Sequence, residues 1–297
     1  VAPLLGVRRL LPMAVLSGSR QTLRVLNDDD KTVARISLEQ MQVEADGGRG
    51  SVSLPARLRL AGVRGYTHET ETAAHRLKTV LGLEPAHAPL YLEALAAAGR
   101  RPGGYSSKLD YRLDPAQPAE AAIRTILLDL LGTLEANIDG TRRNLDPEFL
   151  HDLRVATRRT RSALSQIKGV LPQATVDDFK ARFAWLQQVT GPVRDLDVYL
   201  LDLPQLKAEL PPSLRDDLDP LRDWLTAHYD AEQQALARAL DGERFKALLR
   251  DWRAFLEAPV RHGAHDAKTP IKAVADKRIR RLLKRVREEG RAITDAS

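Results

Sequence analysis

The alternation of apolar and polar positions changes its period partway along the chain. Up to about residue 68 it is close to two. "QTLRVLN" and "KTVARISLEQMQV" are runs rich in β-branched residues, separated by "DDD", and read as two strands joined by a tight turn. "SVSLPARLRLAGV" follows the turn-forming "ADGGRG" and alternates Leu54, Leu58 and Leu60 with Arg57 and Arg59, again a strand pattern. From Thr67 the spacing becomes helical: "HETETAAHRLKTVLGL" opens on a helix-start signal and has Gly82 close to its end. This half predicts a mostly antiparallel sheet with one or two helices.

After Pro118 the helical period takes over, in segments near residues 119–140, 147–169, 176–202, 213–240, 243–257 and 270–293. Asp146 before Pro147 and Thr269 before Pro270 place a capping side chain ahead of a proline at the first helical position. Ser213 with Asp216, and Thr175 with Asp178, resemble acidic capping boxes. Helices of this length on short loops predict an antiparallel bundle. The fold class expected is therefore α+β: a β domain over residues 1–112, a linker at 113–118 and an all-α bundle over 119–297.

Composition narrows the function classes. At 297 residues, 43% hydrophobic and 29% charged, the chain fits one or two soluble globular domains. It has no cysteine, which removes disulfides and thiolate metal sites and suits a reducing, cytoplasmic setting. The apolar N-terminal run is broken by Arg8 and Arg9 and never approaches the roughly 20 residues of a membrane span, so no membrane partner is expected. With no initiating methionine, the chain reads as beginning inside a larger product.

The net charge of +6 is unevenly spread. Residues 209–241 hold eight acids and three bases, whereas 277–291 hold eight bases and two acids. The most concentrated positive stretch is "FLHDLRVATRRTRSAL". On a helix at about 100° per residue, His151, Arg154, Arg158 and Arg161 share an arc of about 80°. Leu153, Ala156, Thr160, Ala163, Leu164 and Ile167 form the core-facing side, so the basic stripe borders packed surface. The last helix repeats the design: Lys277, Arg280, Arg281, Lys284, Arg287 and Arg291 on one side, Ile279, Leu282, Leu283, Val286 and Ile293 on the other. Like charges held this close repel, and a polyanion shared between the stripes would relieve them through arginine–phosphate hydrogen bonds. A solvated helix face is the plainer alternative for either stripe.

In "GPVRDLDVYL", Arg194, Asp195 and Asp197 cluster at a Gly-Pro break. Two acids there could hold a metal, but beside arginines they more often orient guanidinium groups. Phosphate-loop, zincin and hydrolase motifs are absent.

These two stretches together resemble the CHAD (conserved histidine α-helical) domain, at His151, Arg154, Arg158, Arg159 and Arg161 and then at Gly191, Arg194, Asp195 and Asp197. The resemblance implies paired four-helix bundles around a basic cavity that binds inorganic polyphosphate. "LLGVRRLLPMAVLSGSRQTLRVLNDDDKTVARISL" and "GVRGYTHETETAAHRL" resemble the later part of a CYTH, or triphosphate tunnel, domain, which commonly precedes CHAD in bacteria. That likeness implies a β-tunnel, with Arg24, Lys31, Arg35, Arg57 and Arg59 as candidate phosphate contacts. The E-x-E-x-K strand that supplies its metal-binding acids is absent, and no second H-x-x-R occurs before Ser297, so both ends read as truncated relative to the families.

The expectation is a polyphosphate-binding module. His151, Arg154, Arg158, Arg159, Arg161, Arg194, Lys277, Arg280, Arg281 and Lys284 are its candidate contacts, and Asp195 and Asp197 its orienting acids. No catalytic residue, cofactor or metal is assigned, magnesium entering only if the tunnel is active. The alternatives are a CYTH-type triphosphate hydrolase anchored by the helical domain, which the missing strand weighs against, and an RNA-binding module, which the 5% aromatic content disfavours. Oligomeric state is left open, and association with polyphosphate granules is the corresponding cellular expectation.

Overall fold

The computed structural model describes residues 7–44, 50–100, 105–259 and 264–291. They form two compact units, one over Leu10–Tyr105 and the other over the described part of 106–297 together with residues 7–9. The order is an antiparallel sheet followed by a helical region, an α+β protein.

In the first unit β1 (Leu16–Leu26) pairs antiparallel with β2 (Thr32–Glu44), and β2 also pairs with β3 (Ser51–Ser53) and β4 (Arg57–Gly62). The β1–β2 turn follows from Asn27, whose Oδ1 accepts the backbone N–H of Asp29 (3.2 Å) and of Lys31 (2.9 Å) while Asp30 takes the left-handed conformation at φ 56°. The single run expected over 51–63 is split, because Pro55 interrupts it and cannot donate to a ladder. Register then sorts the side chains. Arg20 faces Glu39, Thr22 faces Ser37 and Arg24 faces Arg35 across β1–β2, while Arg57 and Arg59 face Glu39 and Ser37 across β2–β4. All of these lie on one face of the sheet. Met41 and Val43 continue that face and pack with Leu54 against α2 (Leu90–Ala97). α1 (Thr67–Leu81) ends at Gly82, left-handed at φ 64°, as its position in the sequence predicts.

The second unit is built from α3 (Ala119–Ala136), α4 (Ile138–Arg142), α5 (Pro147–Gln166), α6 (Gln173–Val189), α7 (Gly191–Glu209), α8 (Asp219–Asp241), α9 (Glu243–Glu257) and α10 (Ile271–Arg291). Leucines of α3 and α5 meet Phe179 and Phe183 of α6 and Phe245, Leu248 and Trp252 of α9 in one core, with the Phe179 and Trp252 rings 4.5 Å apart. Buried Arg124 of α3, paired with Glu120, donates to the carbonyls of Phe255 and Leu256, orphaned at the end of α9.

Four expected elements differ. The helix expected over 119–140 stops at Ala136, where Asn137 turns its side-chain amide back to the carbonyl of Thr133 at 2.7 Å, and the short α4 follows. The helix expected over 176–202 is two helices, because Pro192 has no N–H to give the carbonyl of Gln188 and its ring would crowd that carbonyl. Ser213 lies in a 3₁₀ turn (Pro212–Leu214) and heads no helix; α8 starts at Asp219 with Pro220 in its first turn. Thr175 does not cap α6, which begins two residues earlier, after Pro172. Asp146 does cap α5: its Oδ1 accepts the N–H of Glu148 at 3.0 Å.

Candidate functional site

α5 sets the phase of the basic stripe. Leu150, Leu153, Ala156, Thr157, Thr160 and Leu164 are buried, which leaves His151, Arg154 and Arg161 half-buried at the margin of the core and Arg158 exposed. Arg154 reaches across to the junction of α6 and α7. In a continuous helix the carbonyl of Gln187 would accept from residue 191; at the break it accepts from Arg154 Nη1 instead, at 2.9 Å. The same nitrogen donates to Thr190 Oγ1 at 2.8 Å, and the fully buried Thr190 hydroxyl in turn donates to the carbonyl of Leu186 at 2.8 Å. A cation is thereby placed on the negative end of α6.

Burial holds the Arg154 guanidinium below its ordinary pKa; Asp195 pulls it back up, and Arg194 and Arg158 push it further down. Arginine stays charged regardless. Arg158 and Arg194 thus each lie within electrostatic reach of Arg154, as does the carboxylate of Asp195. Arg194, in the first turn of α7, has its Nη1 buried without a hydrogen-bond partner among the described residues. Asp197, one turn further, is buried and its Oδ2 is also unpartnered. Burial raises the Asp197 carboxyl above the usual carboxylate range, while the Tyr229 hydroxyl and the charge of Arg194 pull it back. Tyr229, on α8, donates to Asn144 Oδ1 at 2.8 Å, and burial followed by the Asp197 charge raises its own pKa. Asn144, Tyr229, Asp197 and Arg194 thus form a polar chain leading from α8 to the arginine cluster.

The remaining predicted residues are dispersed. Arg159 projects from another side of α5 and donates from Nη1 to the carbonyl of Ser107 at 2.7 Å, tying down the segment ahead of α3. Lys277, Arg280, Arg281 and Lys284 are exposed on α10, with Lys277 3.8 Å from Asp266 and Lys284 3.7 Å from Glu288. The side-chain bond from α10 to α5 comes from Arg278 to Gln166, at the far end of α5 from His151. In the sheet unit, Arg24 and Arg35 are direct cross-strand neighbours, with Arg59 on the same face. Arg57 is bound to Glu93 and to the carbonyl of Ala88, and Lys31 sits in the β1–β2 turn, 3.5 Å from Asp29.

Sequence reading passed over Thr190, Gln187, Tyr229 and Arg20. Arg20 was recoverable, since it lies four residues from Arg24 and therefore on the same strand face. The others become site residues only through the α6–α7 break and the packing of α8. Among the described residues no three of His, Cys, Asp and Glu converge as metal ligands would, and no helix is long and apolar enough to cross a membrane.

A comparison with curated proteins finds no match to the chain. The family model of the CHAD domain matches residues 125–297, and no family match extends over the sheet unit. That match spans more than half of the chain and contains α5, the α6–α7 break and both basic stripes. On these grounds the chain belongs to the CHAD domain family.

Proposed function

We propose that the helical unit binds inorganic polyphosphate. The family is linked to that ligand, and one observation carries the reading onto this chain: Arg194 has a buried, unpartnered Nη1 and, like Arg158, acts on the half-buried Arg154. An unsatisfied buried donor costs about 1–3 kcal/mol. A phosphate oxygen recovers that cost and neutralises the repulsion among the three arginines in one step. In this reading Arg158 and Arg194 supply the main donors, and Arg154 contributes through the nitrogens not spent on the α6 terminus. His151 and Arg161 extend the contact along α5, and Asp195 and Asp197 orient Arg154 and Arg194. Lys277, Arg280, Arg281 and Lys284 would engage more distant phosphates of the same polymer, which gains by occupying many sites at once. Such a protein would work in the cytoplasm, at polyphosphate granules.

Titration calorimetry with long-chain polyphosphate tests this. Arg158 and Arg194 are the residues to change, because Arg154 also supports the fold. Arg158→Ala combined with Arg194→Ala should weaken binding at least tenfold, roughly 1.4 kcal/mol, with the helical circular dichroism spectrum preserved. Unaltered affinity overturns the assignment. Competition by RNA at equal phosphate concentration would replace it with general polyanion binding.

A second reading concerns the sheet unit. Arg24, Arg35 and Arg59 on one face support a phosphate-binding surface of the triphosphate-tunnel kind, with Arg57 and Arg20, the latter paired with Glu39 at 2.9 Å, at its margin. Hydrolysis there would require magnesium, and release of phosphate from tripolyphosphate is its test.

A further inference from the structure

Two buried atoms on α7 lack partners, and they are of opposite kind. Arg194 and Asp197 are three residues apart, so their side chains rise from neighbouring positions on one face of the helix. Arg194 Nη1 is a donor and Asp197 Oδ2 an acceptor; both are buried, and neither has a hydrogen-bond partner among the described residues. The charge of Arg194 acts on Asp197, which is only 6% exposed, yet the two leftover atoms do not bond each other. Tyr229 faces Asp197 from α8, with Asp230 acting on Tyr229 in turn, but its single hydroxyl proton is drawn to Asn144 Oδ1 at 2.8 Å and Oδ2 stays without a donor. On α5 the neighbouring charges are Arg154, which Arg194 and Arg158 both reach, and the half-buried His151. At the α6–α7 junction Gln187 and Thr190 are uncharged.

A fully ionised anion would satisfy the arginine and set its lone pairs against those of the carboxylate. A metal cation would do the reverse. The group that answers both atoms carries an acceptor and a proton on one centre, as hydrogen phosphate does: one oxygen accepts from Arg194 Nη1 while the P–OH donates to Asp197 Oδ2. In polyphosphate that proton belongs to the chain ends. Internal units are strong acids with a single ionisable oxygen and hold no proton near neutrality, whereas a terminal unit has a second ionisation with a pKa of about 6. Burial points the same way, since Arg158 is exposed, Arg154 and Arg194 half-buried and Asp197 buried. A chain end can stop in a recess; an internal unit must enter it and leave again.

We propose that Arg194 and Asp197 together bind the terminal, protonated phosphate group of polyphosphate, and that Asp197 is the residue that sets this specificity. One proton is then held between the phosphate oxygen and Asp197 Oδ2. This specificity rests on the polyphosphate reading above and adds to it the end of the polymer and its protonation state. Free hydrogen phosphate offers the same chemistry. Sulfate does not, because it has no proton to give near neutral pH.

Titration calorimetry on the full chain tests this by comparing linear tripolyphosphate, which has chain ends, with cyclic trimetaphosphate, which has only internal units, from pH 5.5 to pH 8.5. Rising pH makes the linear ligand more negative, so attraction to the arginines alone would tighten its binding. The expected result is the opposite. Relative to trimetaphosphate, affinity for tripolyphosphate should fall about tenfold per pH unit once its end group ionises, the slope of one proton taken up with the ligand. His151 also loses charge over this range, but it acts on both ligands and drops out of their ratio. Asp197→Asn turns the acceptor into a donor at nearly constant volume; the fall should disappear, and at pH 8.5 the variant should bind tripolyphosphate at least tenfold more tightly than the parent does. Orthophosphate at pH 6 should displace tripolyphosphate from the parent if a free group suffices, and sulfate should not. Displacement by sulfate overturns the inference, as do tripolyphosphate that fails to bind, equal pH profiles for the two ligands, or an Asp197→Asn variant that keeps the parent's profile. Each of these leaves binding of long-chain polyphosphate in place, whereas failure of long chains to bind removes the reading beneath. The comparison of the two ligands on the parent needs no variant, so the test stands even if Asp197→Asn does not fold.

Discussion

Arg154 Nη1 and Thr190 Oγ1 are 2.8 Å apart, and this bond joins the middle of α5 to the junction at which α6 stops and α7 begins. Thr190 Oγ1 in turn donates a hydrogen bond to the carbonyl of Leu186, so one buried hydroxyl serves both the end of a helix and the arginine that covers it.

Thr190→Val keeps the volume and removes the hydroxyl. The Leu186 carbonyl and the Arg154 guanidinium each lose a partner, and the variant should be destabilised by about 1–3 kcal/mol. Urea unfolding measures this. Polyphosphate affinity should fall as well, because Arg154 loses its anchor; stability equal to that of the parent chain would show that the bond contributes nothing net.

Asp197 makes stability depend on pH in an unusual sense for a carboxylate. Its folded pKa lies above the unfolded reference of about 3.9, since burial outweighs the help from Tyr229 and Arg194. The folded state therefore holds the proton more tightly. Its contribution is complete below the unfolded pKa and is lost as pH rises towards the folded one. Asp197→Asn cannot titrate, so the stability of the variant relative to the parent should increase between pH 4 and pH 7. A difference that shrinks over this range would mean that the charge of Arg194, rather than burial, governs the site.

Asp146→Ala removes the cap of α5 and should cost about 1 kcal/mol. The loss should be local. Amide exchange ought to accelerate in the first turn, which carries Phe149 to His151, and remain slow around Leu164. Equal acceleration along the whole helix would point to global unfolding in place of fraying.

Arg24 and Arg35 face each other across the β1–β2 ladder, where like charges are destabilising. Replacing both with threonine should raise the melting temperature of the sheet unit in the absence of ligand. Tripolyphosphate should stabilise the parent and leave the double variant unmoved. A parent chain insensitive to tripolyphosphate removes the phosphate-surface reading.

The helices were legible where a single element decides the outcome. The phase of α5 follows from the spacing of Leu153, Ala156, Thr160 and Leu164, all four of them buried, and its start follows from Asp146 and Pro147. The α6–α7 boundary was harder to read. Apolar spacing continues through residues 176–202, and only the missing N–H of Pro192 divides it. Thr190 and Gln187 could not be singled out, because their partner lies more than thirty residues away in sequence and meets them only after α5 and α6 have packed. Arg159 illustrates the converse. It sits in the same motif as Arg158 but leaves the helix in another direction and holds Ser107, a distinction fixed by the 100° step between neighbours.

The division at Gly191 also constrains how this segment can vary. Every residue added or removed between Thr190 and Arg194 would rotate α7 by about 100° relative to α6, swinging Arg194 out of the cluster and carrying Asp197 away from Tyr229. Point substitutions within those three positions should therefore be far better tolerated than insertions or deletions, and the length of this joint would be expected to outlast its composition.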